Sequence, residues 1–355
     1  MKRWFLTWLT SLIVAGIVLG GQFPVAVKQV ADAVNPLLTT SLILFLMSFS
    51  LETQQIQAAL RSPLSVVLGS LLNFVLAPSL ALALMPWQSL QDFRYGLLVA
   101  GVVPCTMATA SVWTRKAHGN DAISLLVTLT TNVASVVTVP FWLALAMSYF
   151  PLTANNGGAG SSTLAPMTAG TILDMRQTAM ELICGVLVPI FLGQLGRQFR
   201  VLNSLANRYK QQMSVASQVL VLVMVWTAAA KGGVRLSQTQ LEISLFHILA
   251  VWTGVIVVHV VTLYVGLYSA RGLGMDRGSQ IAVAFAGSQK TLPVGLLVSE
   301  ALSRQLGLSF VVFPMLMYHA SQLFLDTLIV EQFLAEELAL TDKSPHSPPP
   351  DEKTP

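Results

Sequence analysis

Ten apolar segments, each long enough to cross a bilayer, run through this sequence and most constrain its fold. Hydrophobic residues make up 54% of the 355 residues and charged residues only 10%, whereas soluble domains carry about 25% charged residues. An apolar helix of about 20 residues crosses the hydrocarbon core with its backbone groups paired internally. The sequence therefore predicts an all-α polytopic membrane protein. The predicted spans are 4–20, 35–51, 63–85, 95–114, 121–149, 177–196, 212–230, 244–269, 279–300 and 308–328.

The longest loop divides the spans into two sets of five. This loop is rich in glycine, serine and asparagine and is predicted to be a flexible external linker. Because five spans reverse the direction of the chain, the two sets are expected to be inverted repeats. The predicted units are a first repeat at 1–150, the linker at 151–176, a second repeat at 177–330 and a disordered cytoplasmic tail at 331–355.

Positive residues predict the orientation. With a cytoplasmic N-terminus, eleven lysines and arginines of the loops face the inside and six face the outside, as the positive-inside rule requires. Both termini are therefore expected in the cytoplasm, with a bacterial inner membrane as the expected location. The first span follows Lys2 and Arg3 and also has the pattern of a signal peptide. We treat it as a helix, and its cleavage stays open.

Lys290 lies near the middle of the ninth span, on the order of 12–15 Å from either interface at 1.5 Å per residue. It has polar neighbours at Ser288, Gln289 and Thr291, and Pro293 follows. A charge at this depth is costly and marks a functional site by default. The pattern indicates a broken helix that lines a polar cavity. The structural alternative is a lysine paired with a carboxylate in a static bundle.

The fourth span carries a matching interruption at Pro104, followed by Thr106, Thr109 and Ser111. A shift of 186 positions (290 minus 104) lays Pro104 on Lys290. Corresponding helix breaks at the midplane form the binding site in inverted-repeat transporters. Two breaks in equivalent spans therefore indicate a transport site.

Further polar residues lie inside spans. Ser124, Thr128 and Asn132 share one face of the fifth span, although hydroxyls bonded to their own helix carbonyls are the structural alternative. Asn73 in the third span and His259 in the eighth are candidates of the same kind. Glu181 and Asp326 fall near span ends and are expected at the interface.

The motifs Pro104–Ser111 with Gly119-Asn120, and Gly287–Thr291, resemble those of the bile acid:sodium symporter family. The resemblance lies in the branch typified by sodium/bile acid cotransporter 7 and covers all ten spans, to about residue 330. It implies a panel of spans 1, 2, 6 and 7 and a core of spans 3–5 and 8–10. It also implies that spans 4 and 9 are unwound and cross at their breaks.

The resemblance implies a set of degenerate sodium-site positions. These are Ser124, Thr128, Thr109, Ser111, Asn73 and Gln289. The glutamate that the family shares between both sodium sites falls on Phe285, and an asparagine beside the crossing becomes Lys290. At roughly 6 Å and an effective dielectric of 20, a cation and the ammonium would repel each other by about 3 kcal/mol.

We therefore expect the ammonium to replace bound sodium, or to meet the carboxylate or phosphate of an anionic substrate. The expected substrate and coupling residues are Lys290, Ser288, Thr291, Thr106, Asn132 and His259. Burial disfavours the charged form of lysine. A third possibility is therefore that Lys290 releases and regains a proton in each cycle and couples transport to protons. Coupling to sodium, to protons or to neither stays open.

The function expected from the sequence is secondary active transport of an organic anion by alternating access. Its expected partners are a small-molecule anion and the lipid bilayer, with no cofactor and no nucleic acid, and the oligomeric state is unknown. The motifs HExxH and GxSxG are absent from the sequence, so an enzyme is not expected. The alternatives are a cation/proton exchanger of the same architecture and a non-transporting membrane regulator.

Overall fold

The protein is all-helical in the computed structural model. None of the described residues forms a strand, so the all-α class expected from the sequence is confirmed. The structure describes residues 3–51, 62–107, 109–152, 174–238, 243–308 and 310–342.

The helices before the long loop begin where the sequence supplies helix starts. Proline occupies the first turn of α2, α3 and α4, where its missing N–H costs nothing. Side-chain oxygens of Asn35 and Asn120 accept from the first N–H groups of α3 and α7, which are standard N-caps. These helices are α1 (Arg3–Gln22), α2 (Pro24–Asp32), α3 (Pro36–Ser50), α4 (Pro63–Trp87), α5 (Gln91–Val102), α6 (Ala110–Lys116) and α7 (Asp121–Tyr149).

The helices after the long loop are bounded in the same way. Asp174 caps α8 and Asp276 caps α12, and the hydrogen bond from the Ser279 hydroxyl lowers the pKa of the Asp276 carboxyl. Gly307, with a φ of 68°, ends α13. These helices are α8 (Met175–Gly196), α9 (Arg200–Arg208), α10 (Lys210–Gln238), α11 (Leu245–Gly272), α12 (Arg277–Ser288), α13 (Leu292–Leu306) and α14 (Val312–Asp342).

Six helical segments of the described chain are long and apolar enough to cross a membrane, namely α4, α7, α8, α10, α11 and the α12–α13 pair. The bent pair α2–α3 adds a seventh candidate. The other three predicted spans are not among these candidates. The first contains the apolar helix Thr7–Gln22, and the fourth is interrupted between α5 and α6. Polar residues in the first half of α14 lower its mean hydropathy.

Small residues allow close helix packing on the side formed by α1, α3, α8 and α10. Gly16 and Gly20 of α1 lie against Ala229 and Ala230 of α10, and a Cβ on either glycine would collide with that helix. Small residues at helix contacts let backbones approach closely in a membrane. The long α10 therefore has α1 along one side, and it also packs against α3.

Two helices widen into a π-helical turn just before a proline. The turns are Leu72–Leu76 in α4 and Ile183–Leu187 in α8, followed by Pro78 and Pro189. A wider turn together with a proline, which has no N–H, leaves one carbonyl without a donor from its own helix. In α8 that carbonyl belongs to Cys184, and the Ser41 hydroxyl of α3 donates to it at 3.3 Å.

The last helix is longer than predicted and corrects the start of the tail. Residues 331–342 are helical, whereas a disordered tail was expected from 331. Phe333 is buried with its ring edge-on to Phe285 at 5.9 Å, and Arg277 donates to the Phe333 carbonyl. These contacts hold the helix beyond the predicted boundary. Residues 153–173 of the predicted linker and 343–355 of the predicted tail lie outside the described residues.

Candidate functional site

Two interrupted spans meet inside the protein. The chain leaves the helix between α5 and α6, and again for Gln289–Thr291 between α12 and α13. The Thr291 N–H donates to the Pro104 carbonyl at 2.9 Å. The two breaks predicted from Pro104 and Lys290 therefore touch each other.

The backbone N–H and carbonyl groups of the second break have hydrogen-bond partners, and these bonds stabilise a non-helical segment at membrane depth. The Gln289 N–H donates to the Phe285 carbonyl at 3.0 Å, and its carbonyl accepts from the Asn73 amide at 3.0 Å. The Gln322 side chain accepts from the Lys290 N–H at 3.0 Å and donates to the Lys290 carbonyl at 3.1 Å. Each unpaired backbone group in a membrane costs several kcal/mol. The hydrogen bonds from the Asn73 and Gln322 side chains therefore stabilise the non-helical backbone of this break.

The first break is partnered by one face of α7. The Asn132 amide donates to the Cys105 carbonyl at 2.9 Å, and the Thr131 hydroxyl accepts from the Cys105 N–H at 3.2 Å. The Thr128 hydroxyl lies 3.4 Å from the Thr106 carbonyl and 2.8 Å from the Ser124 carbonyl. Asn132 and Thr128 thus stabilise the break, and Thr128 also bonds back to its own helix.

Lys290 is fully buried and its ammonium donates to the Asn73 carbonyl at 2.7 Å. That carbonyl is free because the Ala77 N–H of the π turn donates to Leu72 instead, and Pro78 has no N–H to offer. Within the described chain no carboxylate lies within 4 Å of the ammonium. The lysine is therefore held by a helix carbonyl and not by an ion pair.

A buried polar chain continues from the second break. The Asp326 carboxylate accepts from the Gln289 amide at 2.6 Å and lies 3.0 Å from Nε2 of His259. The Thr109 hydroxyl donates to the other end of the Gln289 amide at 2.8 Å, which ties the first break to the same chain. Asp326 is fully buried, so its expected place at the interface is wrong.

The polar face of α14 is the feature that sequence reasoning missed. His319, Gln322 and Asp326 are spaced three and four residues apart and therefore share one helix face. Tyr318 adds a hydroxyl that donates to the Ser288 carbonyl at 2.7 Å. This spacing was visible in the sequence, and it would have indicated a buried polar stripe.

The remaining predicted residues are buried around the breaks. The Ser288 hydroxyl donates to the Ala284 carbonyl at 2.9 Å, within its own helix. Thr291 precedes α13 without capping it through its side chain. The Ser124 hydroxyl lies 2.6 Å from that of Thr114. Ser111 lies at the edge of a cavity.

The predicted sodium positions do not fit two sodium ions. The Lys290 ammonium occupies the neighbourhood of Asn73 and Gln289, and the Gln289 side chain is fully engaged by Thr109 and Asp326. Phe285 packs against Phe333 where a carboxylate would be needed. The Ser124 and Thr128 hydroxyls have carbonyl partners and no carboxylate beside them in the described structure.

A cavity of about 280 Å³ lies between the breaks on one side and α3 and α10 on the other. It is lined beside the first break by Thr106, Thr109 and Ser111, which the sequence suggested as substrate-site or sodium-site positions, whereas Lys290 does not line it. Among the described residues, no aspartate or glutamate lines it. Its polar lining residues are Ser50, Thr106, Thr109, Ser111, Arg115, Lys210, Ser214, Ser217, Gln218 and His319.

Membrane-length helices, two touching helix breaks with partnered backbones and an adjoining cavity define an integral membrane protein of the transporter class. The chain belongs to the SBF-like CPA transporter family, whose sequence model matches residues 7–335. The resemblance inferred from the motifs is thereby confirmed.

Relatives with curated names are distant but cover most of the chain. The chloroplastic protein of Arabidopsis thaliana named "Probable sodium/metabolite cotransporter BASS4" is 25% identical over 338 residues, which are 92% of this chain and 72% of the relative. The sodium/bile acid cotransporter 7 of Mus musculus is 23% identical over 344 residues, which are 93% of this chain and 92% of the relative. These names describe transporters, so the expectation that the protein is not an enzyme is confirmed.

Proposed function

We propose that the protein is a secondary active transporter that carries an organic anion by alternating access. The observation that carries the proposal is the lining of the cavity. Lys210 and His319 contribute nitrogen groups, and so does Arg115, whose guanidinium also binds the Asp121 carboxylate outside the lining. Hydroxyls from both walls contribute donors, and no carboxylate is among the described lining residues. A site of this composition favours an anionic solute over a cation. The relatives named as metabolite and bile acid cotransporters support the same substrate class.

The architecture that serves this function is two inverted repeats of five spans. Spans 1, 2, 6 and 7 (α1, α2–α3, α8 and α10) form the panel, and the other spans form the core. The internal shift of 186 positions supports the repeat, since it lays Asn132 on Tyr318 (318 minus 132). Each donates to a carbonyl at one break, Asn132 to Cys105 and Tyr318 to Ser288.

The arrangement corresponds to an inward-facing state. The cavity has Arg115 and Lys210 in its lining, and the positive-inside rule assigns these residues to the cytoplasm. On the opposite side, the Lys231 ammonium of α10 lies 3.2 Å from the Glu300 carboxylate of α13. Arg235 of α10 also donates to the Ser303 hydroxyl of α13. These contacts close the panel against the core on the outside. Both termini then lie in the cytoplasm, and the membrane that the protein spans is a bacterial inner membrane.

Lys290 takes the place of a bound cation in this mechanism. Its ammonium joins α4 to the second break through the Asn73 carbonyl, which is the organising role that a sodium ion would otherwise have. Because the ammonium does not line the cavity, it acts on the shape of the crossing and not on the substrate directly in this conformation. Transport then needs no sodium ion at the crossing.

The proposal is tested by uptake into proteoliposomes. Labelled anions of graded size, from pyruvate to taurocholate, are offered with either sodium or choline outside. We expect uptake of at least one anion, unchanged when choline replaces sodium. Ser214→Trp, which fills the cavity, should abolish uptake, whereas Val215→Trp on the lipid-facing side of the same helix should not. Uptake of none of the anions, or equal loss in both variants, would contradict the proposal.

A cation/proton exchanger is the second candidate, favoured by one observation. The fully buried Asp326 carboxylate beside His259 is the kind of intramembrane acid that proton-coupled carriers use, and the family description includes CPA transporters. A sodium or potassium gradient that drives proton movement in the same proteoliposomes, lost in Asp326→Asn, would favour the exchanger. No cation-driven proton movement would leave the anion transporter.

A further inference from the structure

The helix α9 has a position fixed by its neighbours. It follows α8 after residues 197–199 and precedes α10 by one residue, and both neighbours are membrane-length helices. A helix joined to two spans by so few residues has to lie at the membrane surface. It shares this side with Lys210, which lines the cavity.

Apolar side chains are exposed on one face of α9, and arginines lie along the edge of that face. Val201, Leu202 and Leu205 lie on this apolar face and are 80%, 39% and 47% exposed. Arg200 and Arg208 lie along one edge of it, and both are exposed. At 3.6 residues per turn, the two arginines are centred roughly 100° around the helix from the apolar set. The apolar face is therefore left open by the protein, at the depth where acyl chains begin.

The charge of this segment has one sign. Between Glu181 and Glu242 the sequence contains no aspartate or glutamate. Arg200 and Arg208 thus have no acidic neighbour along the chain, and Arg208 lies over the ring of Tyr209 at 5.6 Å. A basic helix with an apolar face is typical of helices that lie on a membrane and bind anionic lipid.

A buried arginine fixes α9 to the body of the protein. Arg197 is 7% exposed and donates to the Phe49 carbonyl at the end of α3 at 2.7 Å. It also donates to the side-chain oxygens of Asn203 and Asn207 on α9, each at 3.0 Å. The orientation of the apolar face is therefore held by specific hydrogen bonds, which a free loop would not have.

We infer that α9 is a binding site for anionic phospholipid. Its apolar face is immersed among acyl chains, and Arg200 and Arg208 bind the phosphate of an anionic headgroup. Each basic residue near an anionic surface contributes electrostatic attraction. Zwitterionic lipid contacts the same apolar face but binds more weakly, because it carries no net negative charge for the two arginines to attract. Through Arg197, the bound lipid stabilises the end of α3 beside the cavity.

Fluorescence quenching by brominated lipid tests this inference independently of transport. Val201→Cys is made in a Cys184→Ser background, where Cys105 is buried, labelled with a fluorophore and reconstituted with brominated phosphatidylglycerol or brominated phosphatidylcholine. We expect half-quenching at a roughly tenfold lower fraction of phosphatidylglycerol. A label at Phe246→Cys, exposed at the start of α11, should show no preference.

Charge variants distinguish specific binding from general attraction. Arg200→Gln with Arg208→Gln should remove the preference for phosphatidylglycerol and leave quenching by phosphatidylcholine. Lys28→Gln with Arg176→Gln removes the same charge from exposed residues elsewhere and should leave the preference intact. Equal quenching by the two lipids in the unmodified helix would overturn the inference. Quenching by neither would also overturn it, since the face would then be covered by a second copy or by water.

Discussion

A lysine at membrane depth needs an acceptor for its ammonium, and α4 supplies one to Lys290. The π turn and Pro78 free the Asn73 carbonyl, and the ammonium binds it at 2.7 Å. The same Asn73 uses its side-chain amide to hold the Gln289 carbonyl. One residue of α4 therefore partners both the side chain at the break and the backbone beside it.

Lys290→Met should separate the functional role of the charge from its structural role. Methionine has a similar volume, so loss of one hydrogen bond to the Asn73 carbonyl (about 1–3 kcal/mol) is offset by removal of a costly buried charge. We expect thermal stability to be retained and uptake of the transported anion to fall at least tenfold. Lys28→Met, at an exposed site, is the control. Normal uptake in Lys290→Met would exclude a coupling role for the ammonium.

Asp326→Asn should lower stability, because the Asp326 carboxylate accepts from the buried Gln289 amide and also faces Nε2 of His259. An asparagine keeps the shape but has one acceptor oxygen where the carboxylate has two, so Gln289, or His259 where its Nε2 carries the proton, loses its acceptor. Leaving a buried donor unsatisfied costs about 1–3 kcal/mol. Denaturation of the purified variant measures this loss, with the exposed Glu336→Gln as the comparison. Unchanged stability would mean that Asp326 is not part of the supporting network.

The sequence located Lys290 but not its partners. Pro78 and Asn73 were visible, yet the π turn that frees the Asn73 carbonyl depends on how α4 packs against α12. Asp326 was misplaced for a different reason. The hydropathy of the tenth span fades at 328, whereas α14 continues to Asp342, so a residue in mid-helix looked like one at the end.

At the scale of single elements, the breaks depend on side chains from neighbouring helices. Gln322 of α14 partners both the N–H and the carbonyl of Lys290. Gln322→Leu should leave both backbone groups unpaired at about 1–3 kcal/mol each, and so lower the thermal stability strongly. Gln212→Leu, on the exposed start of α10, is the matched control. Equal stability of the two variants would mean that water or a shifted backbone replaces Gln322.

The contact between α10 and α13 should act as the outer closure. Glu300→Gln weakens the ion pair with Lys231, whose other partner is Asp32 at 3.4 Å. Since a partly exposed ion pair contributes up to about 1 kcal/mol, the outward-open population should rise about fivefold. The measurement is labelling of Ser299→Cys by an impermeant thiol reagent in a Cys184→Ser background. Glu336→Gln, which removes an acid paired with Arg271 and Arg277 within the core, should leave the labelling rate unchanged, and an equal rise in both variants would rule out a specific closure.

Across the whole molecule, local signals predicted the elements better than their assembly. Apolar length predicted all-helical structure, and Pro104 and Lys290 predicted two breaks, because each rests on a residue and its immediate neighbours. The cavity needed the packing of α3 and α10 against the breaks, which spacing along the chain does not encode. Thr106, Thr109 and Ser111 were predicted as site residues and line the cavity. Ser214 and Ser217 of α10 gave no comparable signal.

The central claim is that the Lys290 ammonium replaces bound sodium at the crossing. Its most direct test is the thermal stability of the purified protein in detergent, titrated with sodium against choline. A ligand that binds only the folded state stabilises it by about 2.7 kcal/mol at a hundredfold excess over its Kd. We predict no stabilisation specific to sodium, in the parent protein or in Ser124→Ala and Thr128→Ala. A sodium-specific rise in melting temperature that disappears in those two variants would contradict the claim.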